Sequence, residues 1–135
     1  MLSEQIGEET GQITGVRVLP DEGAGSKVEL SYQSSGTLLD AHMSDMGTYV
    51  SVSRPDGTLF GDGQGIVMTD DGQMATWRGQ GVGRFTGHGM AASWRGAIFF
   101  QTASERLARL NGIAVVFEFE TDENGKIANK LFEWK

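Results

Sequence analysis

Two runs of glycine at every second position flank a single turn in this chain. Segment 61–65 reads GDGQG, segment 79–83 reads GQGVG, and the turn signal DDG lies between them at 70–72. Because successive side chains of a strand point to opposite faces, the glycines of each run share one face. Glycine weakens a strand unless another group approaches the backbone closely or the sheet bends sharply. The pattern therefore predicts an antiparallel hairpin with one bare face.

Turn signals recur along the chain at the spacing of β-hairpins. Each contains a glycine that can take the positive φ of a tight turn; they lie at 20–23, 54–57, 69–72, 86–89 and 122–125. Segments of β-type character lie at 5–19, 27–39, 46–54, 58–69, 73–86, 89–101, 112–121 and 126–134. Such a meander either splits into a sandwich or closes into a barrel, and closure removes the exposed edges. We expect an all-β fold in a single domain (1–135), an eight-stranded antiparallel meander closed into a small barrel.

One short helix is expected before the last two strands. Thr102 begins the motif TASE, which is typical of a capping box with Thr102 at the N-cap and Glu105 at N3. Leu107 and Leu110 form an apolar edge, and Gly112 ends the segment. The pattern predicts about two helical turns packed across one end of the barrel.

The turn lengths fix a register. Three-residue loops at 55–57 and 70–72 and a two-residue loop at 87–88 bring the glycines of neighbouring strands onto one face with three large aromatic residues. The predicted rows on this face are Tyr49, Gly63, Gly79 and Gly96; Ser51, Gly61, Gly81 and Trp94; and Gly47, Gly65, Trp77 and Ile98. This face is the more apolar of the two, so we expect it to line the barrel interior.

Two interpretations of the glycine patch stay open. The aromatic rings fold over the glycines, which then permit tight barrel curvature, or a ligand lies flat on the patch between the rings. In the second case the candidate ligand-binding residues are Tyr49, Gly63, Trp77, Gly79, Trp94 and Gly96.

A polar stripe crosses three strands on the opposite face. Its members are Asp62, Gln64, Arg78, Gln80 and Arg95. If this face were buried, its two arginines and one carboxylate would suit an anionic group. If it faces water, it is a solvated outer surface whose cross-strand pairs contribute little.

Composition excludes several classes of partner. The chain carries 11 Lys and Arg against 18 Asp and Glu, a formal net charge of −7, which disfavours nucleic acid. The longest apolar run, 113–117, is too short to span a membrane. The absence of cysteine excludes thiolate chemistry and fits a reducing compartment, and the N-terminus lacks the features of a secretory signal. We expect a cytoplasmic protein without a nucleic-acid or membrane partner.

Few motifs carry recognisable chemistry. Segment 40–45 (DAHMSD) offers ligand types for a metal, but a polar loop explains it equally well, and we predict neither a metal nor a cofactor. The glycine spacing at 87–92 (GHGMAA) resembles a dinucleotide fingerprint but precedes a strand instead of a helix. Glu118 and Glu120 share a strand face at roughly 6.5–7 Å, as paired carboxylates of glycosidases do, yet this spacing is common on exposed strands.

Strands six to eight are apolar on both faces. Residues 98–100 and 113–117 are continuous apolar runs, and such strands need cover on both sides. A second copy of the chain can supply that cover, so we predict a homo-oligomer. Cover by the chain's own N-terminal segment is the alternative.

Several motifs together resemble a group of small uncharacterised bacterial proteins. They are the G-x-G-x-G strand, GVGRFTGHG, SWRGAIFF and LNGIAVVFEFE. These proteins share a calycin-like barrel similar to that of plant allene oxide cyclase. The resemblance covers most of the chain and implies an eight-stranded antiparallel barrel that is often oligomeric. It does not imply the cyclase activity, because the catalytic residues of that enzyme cannot be matched position by position and this chain has no cysteine.

Three functions are compatible with the sequence. The first is binding of a small apolar molecule in the barrel, with the helix near Leu107 closing one end and a cavity of a few hundred Å³. The second is a self-assembling interaction module with a filled core. The third is an isomerase or cyclase that needs a polar group inside the barrel, for which Arg78, Arg95 and Glu118 are the candidates. Whether the chain is an enzyme stays open.

Overall fold

The computed structural model of the chain describes residues 2–21, 23 and 25–135. Within them eight strands follow in order: β1 (Leu2–Leu19), β2 (Lys27–Leu38), β3 (Ala41–Ser53), β4 (Thr58–Thr69), β5 (Met74–Phe85), β6 (Ala92–Gln101), β7 (Ala114–Thr121) and β8 (Lys126–Trp134). Each strand pairs antiparallel with the next, and β8 pairs with β1 to close a barrel. The predicted fold class is confirmed.

Glycine supplies most of the turns at the predicted positions. Positive φ angles occur at Gly23, Gly57, Gly72, Gly89 and Gly125, one in each predicted turn signal. These are conformations that other residues adopt at a cost. The turn glycines therefore identify five of the strand connections from the sequence.

The turn between β2 and β3 carries no glycine. Leu39 and Asp40 have φ angles of 49° and 65°, so two residues with side chains occupy the left-handed region. Because no glycine marks this turn, the predicted start of the third strand at residue 46 is wrong, and β3 begins at Ala41. Asp45 consequently lies within a strand and not in a loop.

The register of the glycine strands is confirmed on one side and wrong on the other. Gly63 faces Gly79 across β4 and β5, as predicted. Gly79 faces Ile98 on β6, however, and not Gly96. The cause is the connecting loop, which spans four residues, 87–90, instead of the expected two. A shift of two residues leaves every side chain on its predicted face.

The face that carries the glycines and tryptophans is the barrel interior. Trp77, Trp94, Ile98 and Phe100 are buried there and belong to a continuous hydrophobic core. The apolar character of this face predicts its inward orientation, because the hydrophobic effect favours burial of these side chains.

The segment after β6 forms a shorter helix than the capping motif predicts. A 3-10 helix covers Ala108–Gly112, whereas Thr102 caps no helix and instead donates a hydrogen bond from its hydroxyl to the Met74 carbonyl, at 2.7 Å. Leu107 and Leu110 are fully buried in the core and cover the barrel beside the end of β6. Among the residues that the structure describes, no helix is long and apolar enough to cross a membrane.

Candidate functional site

Aromatic rings lie directly over several of the interior glycines. A Cβ atom added at Gly61 would lie 2.8 Å from the Trp94 ring, and one at Gly83 would lie 2.7 Å from the same ring. A Cβ atom at Gly65 would collide with the Trp77 ring in the same way. Indole rings therefore fold over part of the glycine patch, and these glycines make room for them inside a narrow barrel.

The rings do not fill the interior completely. A cavity of about 70 Å³ remains near the centre of the barrel, and it is smaller than the predicted few hundred Å³ because the indole rings occupy the space over the glycines. Five of the six candidate ligand-binding residues line it: Tyr49, Gly63, Trp77, Gly79 and Trp94. Gly96 does not, since it packs beneath the ring of Phe117.

Most of the cavity wall is apolar. Four rings form a contiguous cluster on one side: Tyr32 lies 5.5 Å from Phe119, Tyr49 lies 5.8 Å from Phe119, and Tyr49 lies 5.9 Å from Trp94, measured between ring centroids. The rings are tilted or edge-to-face, which is the favourable arrangement for aromatic pairs. The cluster leaves ring surface turned toward the cavity.

One end of the cavity is polar and is built around Asp45 on β3. The carboxyl group of Asp45 is buried and accepts two hydrogen bonds, from the Tyr32 hydroxyl at 3.0 Å and from the Trp77 indole N–H at 2.9 Å. Glu9 on β1 is hydrogen-bonded to it as well. Donors thus surround Asp45, and they stabilise its ionised form.

Glu9 is the second carboxyl group at this end. It is buried, accepts a hydrogen bond from Ser34, and accepts another from the Asn129 amide at 3.0 Å. Burial, and then the nearby charge of Asp45, raise the pKa of Glu9 to about 8. Burial also raises the pKa of Asp45, although its hydrogen bonds oppose that effect.

The raised pKa values of Glu9 and Asp45 favour a single proton shared between the two carboxyl groups. Two carboxylates in contact cannot both ionise at low cost, and the better hydrogen-bonded one holds the charge. Glu9 is then the protonated member and Asp45 the anionic one. The polar end of the cavity carries a single negative charge.

Asn129 on β8 completes the polar end. Its side chain lines the cavity and is only 6% exposed, and its amide N–H group is used by Glu9. Its carbonyl oxygen Oδ1 is buried and accepts no hydrogen bond from the described part of the chain. Buried polar atoms in native proteins are nearly always paired, so this oxygen points to a donor that the chain itself does not supply.

The polar stripe lies outside the barrel. All five of its members are exposed: Asp62, Gln64, Arg78, Gln80 and Arg95. Arg95 pairs with Glu120 at 2.7 Å, and both side chains are about half exposed. The stripe is therefore a solvated surface and does not form a buried anion site.

The candidate catalytic residues for an isomerase are also outside. Arg78 and Arg95 are exposed, and Glu118 is half-buried between Phe117 and Phe119, whose side chains turn inward to line the cavity. Glu118 therefore points outward, because neighbouring residues of a strand face opposite sides. In the described part of the chain, the carboxyl groups that turn into the cavity are those of Glu9 and Asp45 instead.

Segment 40–45 does not form a metal site. His42 is exposed while Asp45 is buried, because the two residues lie an odd number of positions apart on β3. No cluster of three or more His, Asp or Glu side chains suited to a metal occurs in residues 2–21, 23 and 25–135.

Comparisons with known proteins show the fold and leave the activity open. No protein-family model matches the chain, and no curated protein matches it. A protein of unknown function from Clostridium acetobutylicum superposes with a TM-score of 0.84 over 98% of each chain at 14% identity. A β-barrel-like protein from Acinetobacter baumannii gives a TM-score of 0.82 at 15% identity, covering 100% of this chain and 96% of the other.

A more distant structure is described as an enzyme. It comes from Penicillium herquei and superposes with a TM-score of 0.67 at 16% identity, covering 98% of this chain and 96% of the other. At identities this low the similarity shows a shared barrel fold alone.

Proposed function

We propose that this chain binds one small, largely apolar molecule inside its barrel. The observation that carries the proposal is the central cavity, whose walls are aromatic and aliphatic and whose polar end holds Glu9, Asp45 and Asn129. Ligand sites are typically apolar pockets with a few convergent polar groups. A packing defect alone would be expected to be apolar throughout.

The energetics of the polar end support a binding role. Burying a carboxyl pair costs several kcal/mol relative to an apolar core of the same shape. Here the interior positions at Glu9 and Asp45 are otherwise surrounded by core residues such as Tyr32 and Trp77. In a filled core that served only for stability, two carboxyl groups and an unpaired amide oxygen beside a cavity would only lower the stability.

Filling the cavity tests this proposal. Val67 lines the cavity and is 2% exposed, so Val67→Phe places a ring in the space where the ligand would lie. Its neighbour Ile66 is exposed on the outer face, and Ile66→Phe is the matched control. Native mass spectrometry of protein purified without denaturation is expected to detect a bound small molecule in the wild type and in Ile66→Phe, but not in Val67→Phe.

The same experiment has an outcome that rejects the proposal. A bare sequence mass for the wild type, together with no change of Trp fluorescence from Trp77 and Trp94 across a library of small apolar compounds, would favour the filled interaction module.

Proton transfer on the bound molecule is the second candidate function, as in an isomerase. The observation that favours it is the carboxyl pair beside the cavity. The pKa of Glu9, about 8, lies close to the pH inside a cell, as is favourable for a general acid. Substituting Glu9→Gln would then abolish turnover while leaving binding intact. Retained turnover in that variant would reject the assignment.

We also propose that this chain is related to calycin-like barrels similar to that of allene oxide cyclase. A closed barrel whose strands follow in chain order supports it. Cytoplasmic location is likewise a proposal, and it rests on the lack of cysteine.

A further inference from the structure

The charge at the polar end restricts which molecules can bind there. Two carboxyl groups turn into the cavity, those of Glu9 and Asp45, and together they carry one negative charge, while the side chain of Asp62 lies on the outer face. None of the cavity-lining residues within the described part of the chain is Lys, Arg or His. A ligand carboxylate or phosphate would therefore face a buried negative charge with no cation to offset it.

The hydrogen-bonding groups at the polar end also favour a ligand that donates hydrogen bonds over an anionic one. Asn129 Oδ1 is a buried acceptor without a donor in the described part of the chain, and the oxygens of Asp45 are acceptors when ionised. A ligand that fits this end must bring donors. An ammonium group has three N–H donors and no acceptor, whereas a hydroxyl has one donor and two lone pairs of its own.

The aromatic cluster supplies a third favourable term. Tyr32, Tyr49, Trp94 and Phe119 lie next to one another with centroid distances of 5.5 to 6.3 Å. The faces of such rings carry negative electrostatic potential and attract organic cations, most strongly where water is excluded. Tyr32 also donates its hydroxyl hydrogen to Asp45, so the rings and the anion lie on the same side of the cavity.

We propose that the molecule bound in the barrel is a small organic amine in its protonated form, with its ammonium group at the Asp45–Glu9–Asn129 end and its carbon skeleton against the aromatic wall. This inference rests on the binding function proposed above. The cavity of about 70 Å³ is roughly half the size of an engineered cavity that holds benzene. It therefore selects amines of only a few carbon atoms.

Three probes of nearly equal size and shape test the inference. They are isobutylamine, isobutanol and isobutyrate, which present a cation, a neutral hydroxyl and an anion on a similar branched skeleton. Their dissociation constants can be measured at pH 7 from the fluorescence of Trp77 and Trp94, with thermal shift as a second readout. We expect isobutylamine to bind about tenfold to a hundredfold more tightly than isobutanol, and isobutyrate to bind more weakly than either.

The outcomes separate the inference from the function on which it rests. Binding of isobutanol or isobutyrate as tightly as isobutylamine would overturn the amine assignment and would leave the binding function standing. Failure of all three probes to bind would overturn both for ligands of this size.

Two variants identify the charge responsible. Asp62→Asn removes one negative charge from the outer face and leaves the groups of the cavity unchanged, so isobutylamine affinity should change less than threefold. The double variant Glu9→Gln/Asp45→Asn removes the negative charge of the carboxyl pair and should lose at least tenfold in affinity for isobutylamine with little change for isobutanol. Equal affinity for isobutylamine in the two variants would overturn the inference, and the wild-type comparison of probes decides the matter even if the double variant fails to fold.

Discussion

At the scale of single residues, packing inside this barrel depends on pairs of a glycine and an aromatic ring, in which the ring leaves no room for a side chain at the glycine position. Gly65 has no side chain because the Trp77 ring occupies the place where one would lie. The same Trp77 donates its indole N–H to Asp45, so the glycine also fixes the position of a donor at the candidate site. Packing and site chemistry therefore depend on the same residues.

The buried carboxyl pair makes a prediction about pH. The pKa of Glu9 is raised in the folded state to about 8 from an ordinary value of 4.5, mainly by burial. Between these values the folded state binds a proton that the unfolded state has released, so the free energy of unfolding falls as pH rises, by up to about 1.4 kcal/mol per pH unit. The stabilising contribution is fully present below pH 4.5 and lost as the pH passes 8. Asp45, whose pKa is also raised, acts in the same direction.

Glu9→Gln isolates this effect. Urea denaturation of wild type and variant at pH 5, 6.5 and 8 should show the wild type losing stability relative to Glu9→Gln as pH increases. Taking the difference cancels the exposed carboxylates with lowered pKa values, such as Asp56 and Asp71. A stability difference that does not vary with pH would mean that Glu9 is ionised in the fold.

At the scale of elements, alternation and turn glycines predict most strands, and the failures have identifiable causes. Every strand is found close to its predicted range except β3, whose start was missed because Leu39 and Asp40 turn the chain without glycine. That single error hid Asp45. Asp45 lies two residues before Gly47 on the same inward face, and extending the strand would have placed a carboxyl group inside the barrel.

The remaining site residues were missed for a different reason. Glu9 and Asn129 stand at inward positions of β1 and β8, but a polar residue in an alternating strand does not reveal which face it occupies unless the register to its neighbours is known. Pairing of the first and last strands comes from barrel closure, which is a long-range property. Local patterns in the sequence therefore could not bring these two residues together.

The strand glycines provide a matched test of the packing account. At Gly65, on β4, an alanine side chain would collide with Trp77, whereas at Gly15, on β1, nothing lies within 4 Å of an added Cβ atom. We expect Gly65→Ala to lower the free energy of unfolding by about 1–3 kcal/mol through overpacking. Gly15→Ala should be neutral or should stabilise by up to about 1 kcal/mol, because alanine restricts the unfolded chain. Equal effects in the two variants, measured by chemical denaturation, would show that ring packing is not what requires glycine.

At the scale of the whole molecule, closure of the barrel decides how copies of the chain could associate. Each described strand has a partner on both sides, so association by edge pairing is blocked. The outer face nevertheless keeps apolar side chains exposed on neighbouring strands: Met46, Ile66, Met68, Met74 and Phe99. Met46 and Ile66 are cross-strand partners, as are Met68 and Met74, so these four form one apolar surface on the outer face of β3 to β5, whereas Phe99 on β6 lies opposite Arg78.

The predicted homo-oligomer would have to use such an outer face. Phe99 on β6 is 57% exposed and Val18 on β1 is 80% exposed, so both are apolar surface residues, but Phe99 belongs to the apolar run at 98–100 for which cover by a second copy is expected. Native mass spectrometry of the wild type should detect more than one subunit. Phe99→Lys should shift the distribution toward the monomer, because a lysine buried between copies loses its hydration, while Val18→Lys should leave the subunit number unchanged. A wild-type monomer at micromolar concentration would contradict the prediction. The exposed apolar residues of the outer face would then be surface that the fold tolerates without a second copy.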